Sequence, residues 1–236
     1  MGLGTLINTA AIVLGGVAGL LFGKKMNERC QTSLTAACGV SVLFIGIAGA
    51  MQGMLSVSDG AVTSGQAMLV TVTLALGALI GEVINIEGAF ERFGEWLKER
   101  TGNEGERGFV GAFVTASLTV CIGAMAIVGA IQDGLSGDWS ILATKAVLDF
   151  VIILVMTCSL GKGCVFSAIP VLVLEGGVTA LSSLLRPIMT PLAMSYLSLV
   201  GSILIFCVGV NLVWGKKLRV ANMLPAVVLA VAAAFV

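Results

Sequence analysis

The chain has 236 residues, of which 58% are hydrophobic and 11% charged, and its mean hydropathy is +1.07. Soluble domains carry about 45–50% apolar and about 25% charged residues, so this composition excludes a water-soluble monomer. The formal net charge is zero, which provides no basic surface for nucleic acid.

Apolar runs of helix-spanning length predict an all-α, polytopic integral membrane bundle of seven to eight transmembrane helices in a single domain. The runs lie near residues 3–23, 34–55, 66–86, 109–131, 140–160, 163–185, 195–214 and 220–236. The last run follows Asn222-Met223-Leu224-Pro225 and either spans the bilayer thinly or is re-entrant. The first run has no positive charge ahead of it and no small-residue cleavage site, so we expect it to be retained.

The distribution of lysine and arginine predicts the orientation of the bundle. Eleven of the thirteen basic residues lie in four loops that share one side if the helices alternate: 24–33, 87–108, 161–163 and 215–219. Basic loops are typically cytoplasmic. The sequence therefore predicts an outside N-terminus, with Lys98 in the cytoplasm and Ser58 outside.

The long basic loop contains a second kind of helix. Phe90, Phe93, Trp96 and Leu97 recur at helical spacing among charged residues, which predicts an amphipathic interfacial helix over 87–100. The acidic content leaves two roles open: packing against the ends of the membrane helices, or binding anionic lipid.

Small residues recur in the first four runs. The first run has glycine at 15, 19 and 23, and the third has it at 77 and 81. The second and fourth runs end in Gly49-Ala50-Met51-Gln52 and Gly129-Ala130-Ile131-Gln132. Small residues four apart allow close helix packing. The pattern is explained either by packing alone or by an internal repeat of a helix pair.

Ionisable residues at membrane depth are candidates for function. From the predicted outer helix ends, Asn8 and Lys145 lie about 8 Å and Asp149 about 14 Å into the bilayer. Glu175 lies about 18 Å from the predicted inner end of its helix, again near the midplane. Lys145 and Asp149 are four residues apart and share one helix face. The sequence predicts a solute or ion site formed by these four residues, or, alternatively, a lysine–aspartate pair that only stabilises the bundle.

The surroundings of Glu175 indicate an interrupted helix. Pro170 precedes it and Gly176-Gly177 follow at once. Proline and glycine pairs kink helices, and helices interrupted at mid-depth mark transporter sites. We therefore expect a break at these residues, with Glu175 either binding and releasing a proton or hydrogen-bonded as a neutral acid across a helix interface.

Further polar groups close the fourth run on its predicted outer side. Gln132 and Asp133 are candidates for an outer vestibule, and Asp138 lies just before the fifth run. The alternatives are a solvated turn, or an N-cap for the fifth helix.

The residue types and motifs that the sequence lacks limit the metal, cofactor and catalytic chemistry that we expect. There is no histidine, and the six cysteines form no CxxC pair. Most of these cysteines lie in apolar runs, where cysteine behaves as a small hydrophobe. The sequence also lacks a phosphate-binding loop and a nucleophile elbow. We therefore expect no metal, no cofactor and no enzyme activity.

Several segments together resemble one bacterial family. They are residues 4–9, 79–82, 129–135, 145–149 (Lys145-Ala146-Val147-Leu148-Asp149), 166–170 and 222–225 (Asn222-Met223-Leu224-Pro225). The chain is similar over nearly its whole length to the membrane proteins of the "domain of unknown function 554" family. This resemblance implies a multi-pass protein of the bacterial cytoplasmic (inner) membrane, and it supplies no substrate.

Two functional hypotheses follow from the residues. The first is a passive or ion-gradient-driven transporter or channel for a small polar or charged solute, since no ATP-binding motif is present. The second is a non-transporting membrane scaffold or accessory subunit. The partners expected are the lipid bilayer, a small solute or coupling ion, and a second copy of the chain, with no nucleic acid.

Overall fold

A computed structural model describes residues 2–23, 26–58, 60–106 and 108–235. The helices are α1 (Leu3–Gly23), α2 (Glu28–Met54), α3 (Ala67–Ile84), α4 (Ile86–Arg100), α5 (Phe109–Cys121), α6 (Ala124–Ser136), α7 (Ser140–Leu160), α8 (Ala168–Ala180), α9 (Ser182–Leu185), α10 (Pro191–Trp214) and α11 (Pro225–Ala233). Two strands, β1 (Leu55–Ser58) and β2 (Ala61–Ser64), form an antiparallel hairpin. The 3₁₀ turns Lys162–Ser167 and Val220–Met223 precede α8 and α11. Lys24, Lys25 and Arg107, which contribute to the predicted orientation, lie outside the described residues.

The all-α prediction is confirmed. In the described part of the chain, six helical segments are long and apolar enough to cross a membrane, and α5 with α6 makes a seventh if this pair, bent by 61°, is one span. The eighth predicted run is shorter than expected. Helix α11 has nine residues and rises about 14 Å, about half the thickness of the hydrocarbon core.

The ends of α1 and α7 agree with the first and fifth predicted runs, whereas α2 begins before the second predicted run and is longer. Helix α2 begins at Glu28 because the Asn27 side chain accepts a 2.9 Å hydrogen bond from the Cys30 backbone N–H, a typical N-cap. The β1–β2 hairpin between α2 and α3 was not predicted. Its Val57 and Val62 side chains are exposed.

Glycines allow the longest helices to touch backbone to backbone. Helix α1 packs along α7, and a Cβ added to Gly15 or Gly19 would lie 2.5 Å from the carbonyl oxygen of Phe150 or Leu154. Helix α2 packs along α10 in the same way, with Gly46 against Phe206. The predicted packing role of the glycine motif in α1 is therefore confirmed.

The glycines of α3 pack against the final segment of the chain. Gly77 lies against Ala226, and Gly81 lies against the backbone of Asn222.

The repeat hypothesis pairs α2 with the fourth run. Helix α2 is continuous, however, and the fourth run is divided into α5 and α6, so the two helix pairs differ in conformation.

Helix α4 is the predicted amphipathic helix, and its apolar face packs against the bundle. Phe113 of α5 lies against Gly94 and also against the ring of Phe93, at 5.8 Å between ring centroids. Leu97 is buried, whereas Trp96 is 53% exposed. Packing against a membrane helix is therefore the role that the contacts of α4 support.

Salt bridges connect the segment containing α4 to two turns, one with Lys162 and one with Lys216. Lys162 contacts Glu106 at 2.6 Å, and Lys216 contacts Glu87 at 2.6 Å and Glu91 at 2.7 Å. Hydrogen bonds to these two carboxylates raise the pKa of Lys216. We call this side of the bundle, which carries Lys162 and Lys216, the basic end.

Candidate functional site

The fourth run is broken halfway along. Helix α5 ends at Cys121 and α6 begins at Ala124, with Gly123 between them at φ +152°. The last carbonyls of a helix lack an intrahelical partner and form the negative end of its dipole. Here the Val120 carbonyl accepts a 2.8 Å hydrogen bond from Nζ of Lys145. The break therefore directs a backbone oxygen at a buried cation.

Asn8, Lys145, Asp149 and Glu175 come together at this break, and we call them the buried charge cluster. Asn8 Nδ2 donates to Asp149 Oδ2 at 3.1 Å and to Glu175 Oε1 at 2.8 Å. Lys145 Nζ forms a salt bridge with Asp149 and lies 3.6 Å from Glu175 Oε1. None of the four is more than 6% exposed. Helices α1, α7 and α8 thus bring together the four residues predicted for the site.

The buried charge cluster contains more acid than base. With both carboxylates ionised, one lysine leaves a net charge of −1. Among the described residues, Glu175 Oε2 and Asn8 Oδ1 have no hydrogen-bond partner. Buried charge is costly unless it is compensated, so the arrangement has the charge and the acceptor atoms to take up one further cation or a proton.

The predicted helix break around Glu175 is wrong. Helix α8 is continuous from Ala168 to Ala180 and includes Gly176 and Gly177. Pro170 lies in the first turn of α8, where a missing N–H group breaks no intrahelical hydrogen bond. The interruption lies instead at Gly123, which the sequence does not distinguish from the other 30 of its 31 glycines.

Asp133 does not line an open vestibule, which corrects the second site prediction. Its side chain is fully buried, and Oδ2 accepts a 2.9 Å hydrogen bond from the backbone N–H of Gly4 at the start of α1. A carboxylate at this position also interacts favourably with the positive, N-terminal end of the α1 dipole. Gln132 is exposed and lines a shallow pocket with Met189 and Met194.

Asp138 is exposed in the turn before α7, as the solvated-turn alternative predicted, whereas the N-cap alternative is wrong because Trp139 is the N-cap residue of α7. Its Oδ1 accepts a 3.0 Å hydrogen bond from the Ser140 backbone N–H. Hydrogen bonds from Ser140 lower the pKa of Asp138. The residue lies at the surface and orders the α6–α7 connection.

A cavity of about 460 Å³ extends from the basic end toward the buried charge cluster. Lys216 and Glu91 lie at its exposed side, and Gly111, Thr115 and Leu118 line it along one face of α5. Leu118 precedes Val120, the residue that contacts Lys145, by only two positions. The cavity therefore reaches to within about one helical turn of the break.

Comparison with known proteins identifies relatives without a described activity. A family described as "Protein of unknown function (DUF554)" matches residues 3–235. The chain is 32% identical to the uncharacterized protein YqgA of Escherichia coli (strain K12), over 98% of this chain and 95% of YqgA. It is 27% identical to the uncharacterized membrane protein YdfK of Bacillus subtilis (strain 168), over 96% of this chain and 93% of YdfK. No solved structure matches the chain.

The family match covers nearly the whole chain, and one relative is named as a membrane protein. The part of the chain that the structure describes contains six to seven long apolar helices. The helix count and the relative's name both indicate a membrane protein. The chain is a membrane protein that belongs to the DUF554 family.

Proposed function

We propose that this protein is a passive or ion-gradient-driven transporter or channel for a small polar or charged solute. The observation that carries the proposal is the buried charge cluster, which joins three helices and a helix break around two carboxyl groups and one ammonium. A bundle that needed only stability would gain more from apolar residues at these positions. Ionisable groups at such depth typically mark ion and solute pathways.

The cavity at the basic end is the proposed route, although the four residues of the buried charge cluster do not line it. Its lining ends near the break, and the mouth carries two glutamates and one lysine, so the mouth and the buried charge cluster are both net negative. This repeated charge favours a cationic or zwitterionic solute, or a coupling cation. Toward the opposite end, Asp133 is buried against Gly4 and lines no opening. The proposed function involves no covalent chemistry.

The proposed location is the bacterial cytoplasmic membrane, with the N-terminus outside and the basic end in the cytoplasm. In a cysteine-depleted background, we expect an impermeant maleimide to label Val57→Cys in intact cells and Lys98→Cys only after permeabilisation. The excess of lysine and arginine at the basic end is the physical reason. Labelling of Lys98→Cys in intact cells would contradict the orientation.

A flux measurement tests the transport proposal. We expect vesicles reconstituted with the protein to take up a small organic or inorganic cation faster than empty vesicles. The variant Gly111→Phe should reduce this flux at least about tenfold without unfolding the protein, because a Cβ at Gly111 meets no atom within 4 Å and the ring would enter the cavity.

The matched control is Gly105→Phe, which places the same ring in open space in the loop after α4. Its flux should equal that of the wild-type protein. Equal flux through protein-containing and empty vesicles for a panel of cations and zwitterions would instead favour the scaffold hypothesis.

A further inference from the structure

Among the described residues, the hydrogen-bond and salt-bridge partners of the Lys145 ammonium are all oxygen atoms. Its Nζ contacts the Val120 carbonyl at 2.8 Å, Oδ2 of Asp149, and Oε1 of Glu175 at 3.6 Å. The three oxygens come from three different helices, α5, α7 and α8. The side chains of Lys145, Asp149 and Glu175 are all more than nine-tenths buried. The ammonium therefore occupies a preformed cage of oxygens.

Backbone carbonyls at the C-terminal ends of half-helices coordinate Na⁺ or H⁺ in membrane transporters. Carboxylate oxygens are also ligands of hard cations. Two more oxygens of the buried charge cluster, Glu175 Oε2 and Asn8 Oδ1, have no partner among the described residues. If Lys145 served only to neutralise Asp149, the site would need neither a second buried carboxylate nor unpaired acceptor atoms. The cage thus has more oxygens and more negative charge than one ammonium uses.

We propose that this oxygen cage is a binding site for a monovalent alkali cation, and that the Lys145 ammonium is its intramolecular competitor. The inference rests on the proposed transport function, for which it names the coupling ion. One monovalent cation replaces one ammonium, so the exchange conserves the charge within the cage. When the Lys145 ammonium returns to the cage, it displaces the bound cation. This competition makes binding reversible in a buried, low-dielectric site.

Thermal unfolding of Lys145 variants in detergent tests the proposal. Lys145→Gln removes the ammonium and keeps an N–H donor for the Val120 carbonyl, and Lys145→Met removes both. We expect the melting temperature of each variant to rise by about 3–6 °C for each tenfold increase in Na⁺ above its dissociation constant. Choline chloride at matched ionic strength should have no such effect, because choline is too large for the cage.

Two controls locate the effect. Lys145→Gln combined with Asp149→Asn removes a carboxylate from the cage, and its melting temperature should not depend on Na⁺. Lys162→Gln removes an ammonium from the partly exposed pair with Glu106, and this variant should also be insensitive to Na⁺.

Some outcomes would overturn the inference. Equal melting temperatures of Lys145→Gln in NaCl, KCl, LiCl and choline chloride would do so, as would stabilisation by MgCl₂ alone. Failure of both Lys145 variants to fold in any alkali chloride would also do so, since no cation from solution would then replace the ammonium. The measurement requires no flux, so a cage that binds Na⁺ in a protein that transports nothing would reject only the transport proposal.

Discussion

Replacing Lys145 with methionine is expected to lower the free energy of unfolding by about 3–5 kcal/mol in choline chloride, a larger loss than Lys145→Met combined with Asp149→Leu causes. The single variant leaves two buried carboxylates and the Val120 carbonyl without a cation. The double variant leaves one carboxylate, which a proton can neutralise. Chemical or thermal unfolding in detergent measures both losses.

The control for this prediction is Lys162→Met, at a salt bridge whose lysine side chain is 43% exposed. Exposed ion pairs contribute about 1 kcal/mol or less, so this variant should remain close to the wild-type protein in stability. Strictly additive losses for Lys145→Met and Asp149→Leu would show that the two side chains do not interact, contrary to the geometry of the cluster.

Replacing Glu175 with glutamine is expected to abolish flux in reconstituted vesicles while the protein remains folded. Glutamine keeps an oxygen for the Asn8 amide and has nearly the same shape, but it cannot ionise. With both carboxylates ionised, the substitution changes the net charge of the buried charge cluster from −1 to zero, which removes the attraction for a further cation. Any dependence of wild-type flux on pH that arises from protonation of Glu175 should disappear in the variant.

Flux across a pH gradient measures this effect, with melting temperature as the measure of folding. Among the described residues, the groups around Glu175 are Asn8 of α1, the charged pair Lys145 and Asp149 of α7, and the Cys121 thiol of α5. Protonation of Asp149 is the competing explanation for a pH effect. Asp149→Asn separates the two. Glu104→Gln makes the same chemical change on an exposed loop and should leave flux unchanged. Wild-type flux in Glu175→Gln would reduce this residue to a structural role.

The limits of the sequence are clearest at the buried charge cluster. Residue depth follows from the 1.5 Å rise of a helix and the length of each apolar run, so Asn8, Lys145, Asp149 and Glu175 could be placed at compatible depths before their contacts were known. Which helices lie side by side does not follow from depth. The structure packs α1 against α7 through Gly15 and Gly19, and this packing brings Asn8 to Asp149.

The sequence by itself determined the membrane class, the helix ends of α1 and α7 and the polar residues of the cluster, because hydrophobic length and buried charge are local properties of the chain. The tertiary structure decided where the fourth run breaks. A glycine interrupts a helix only where another group satisfies the freed carbonyl, and for Val120 that group is Lys145 from α7. The tertiary structure also decided that Asp133 is buried, since its hydrogen-bond partner, the N–H of Gly4, is 129 residues away in the sequence. Backbone oxygens have no signature in a sequence, and their contribution to this site appears only once the helices are packed.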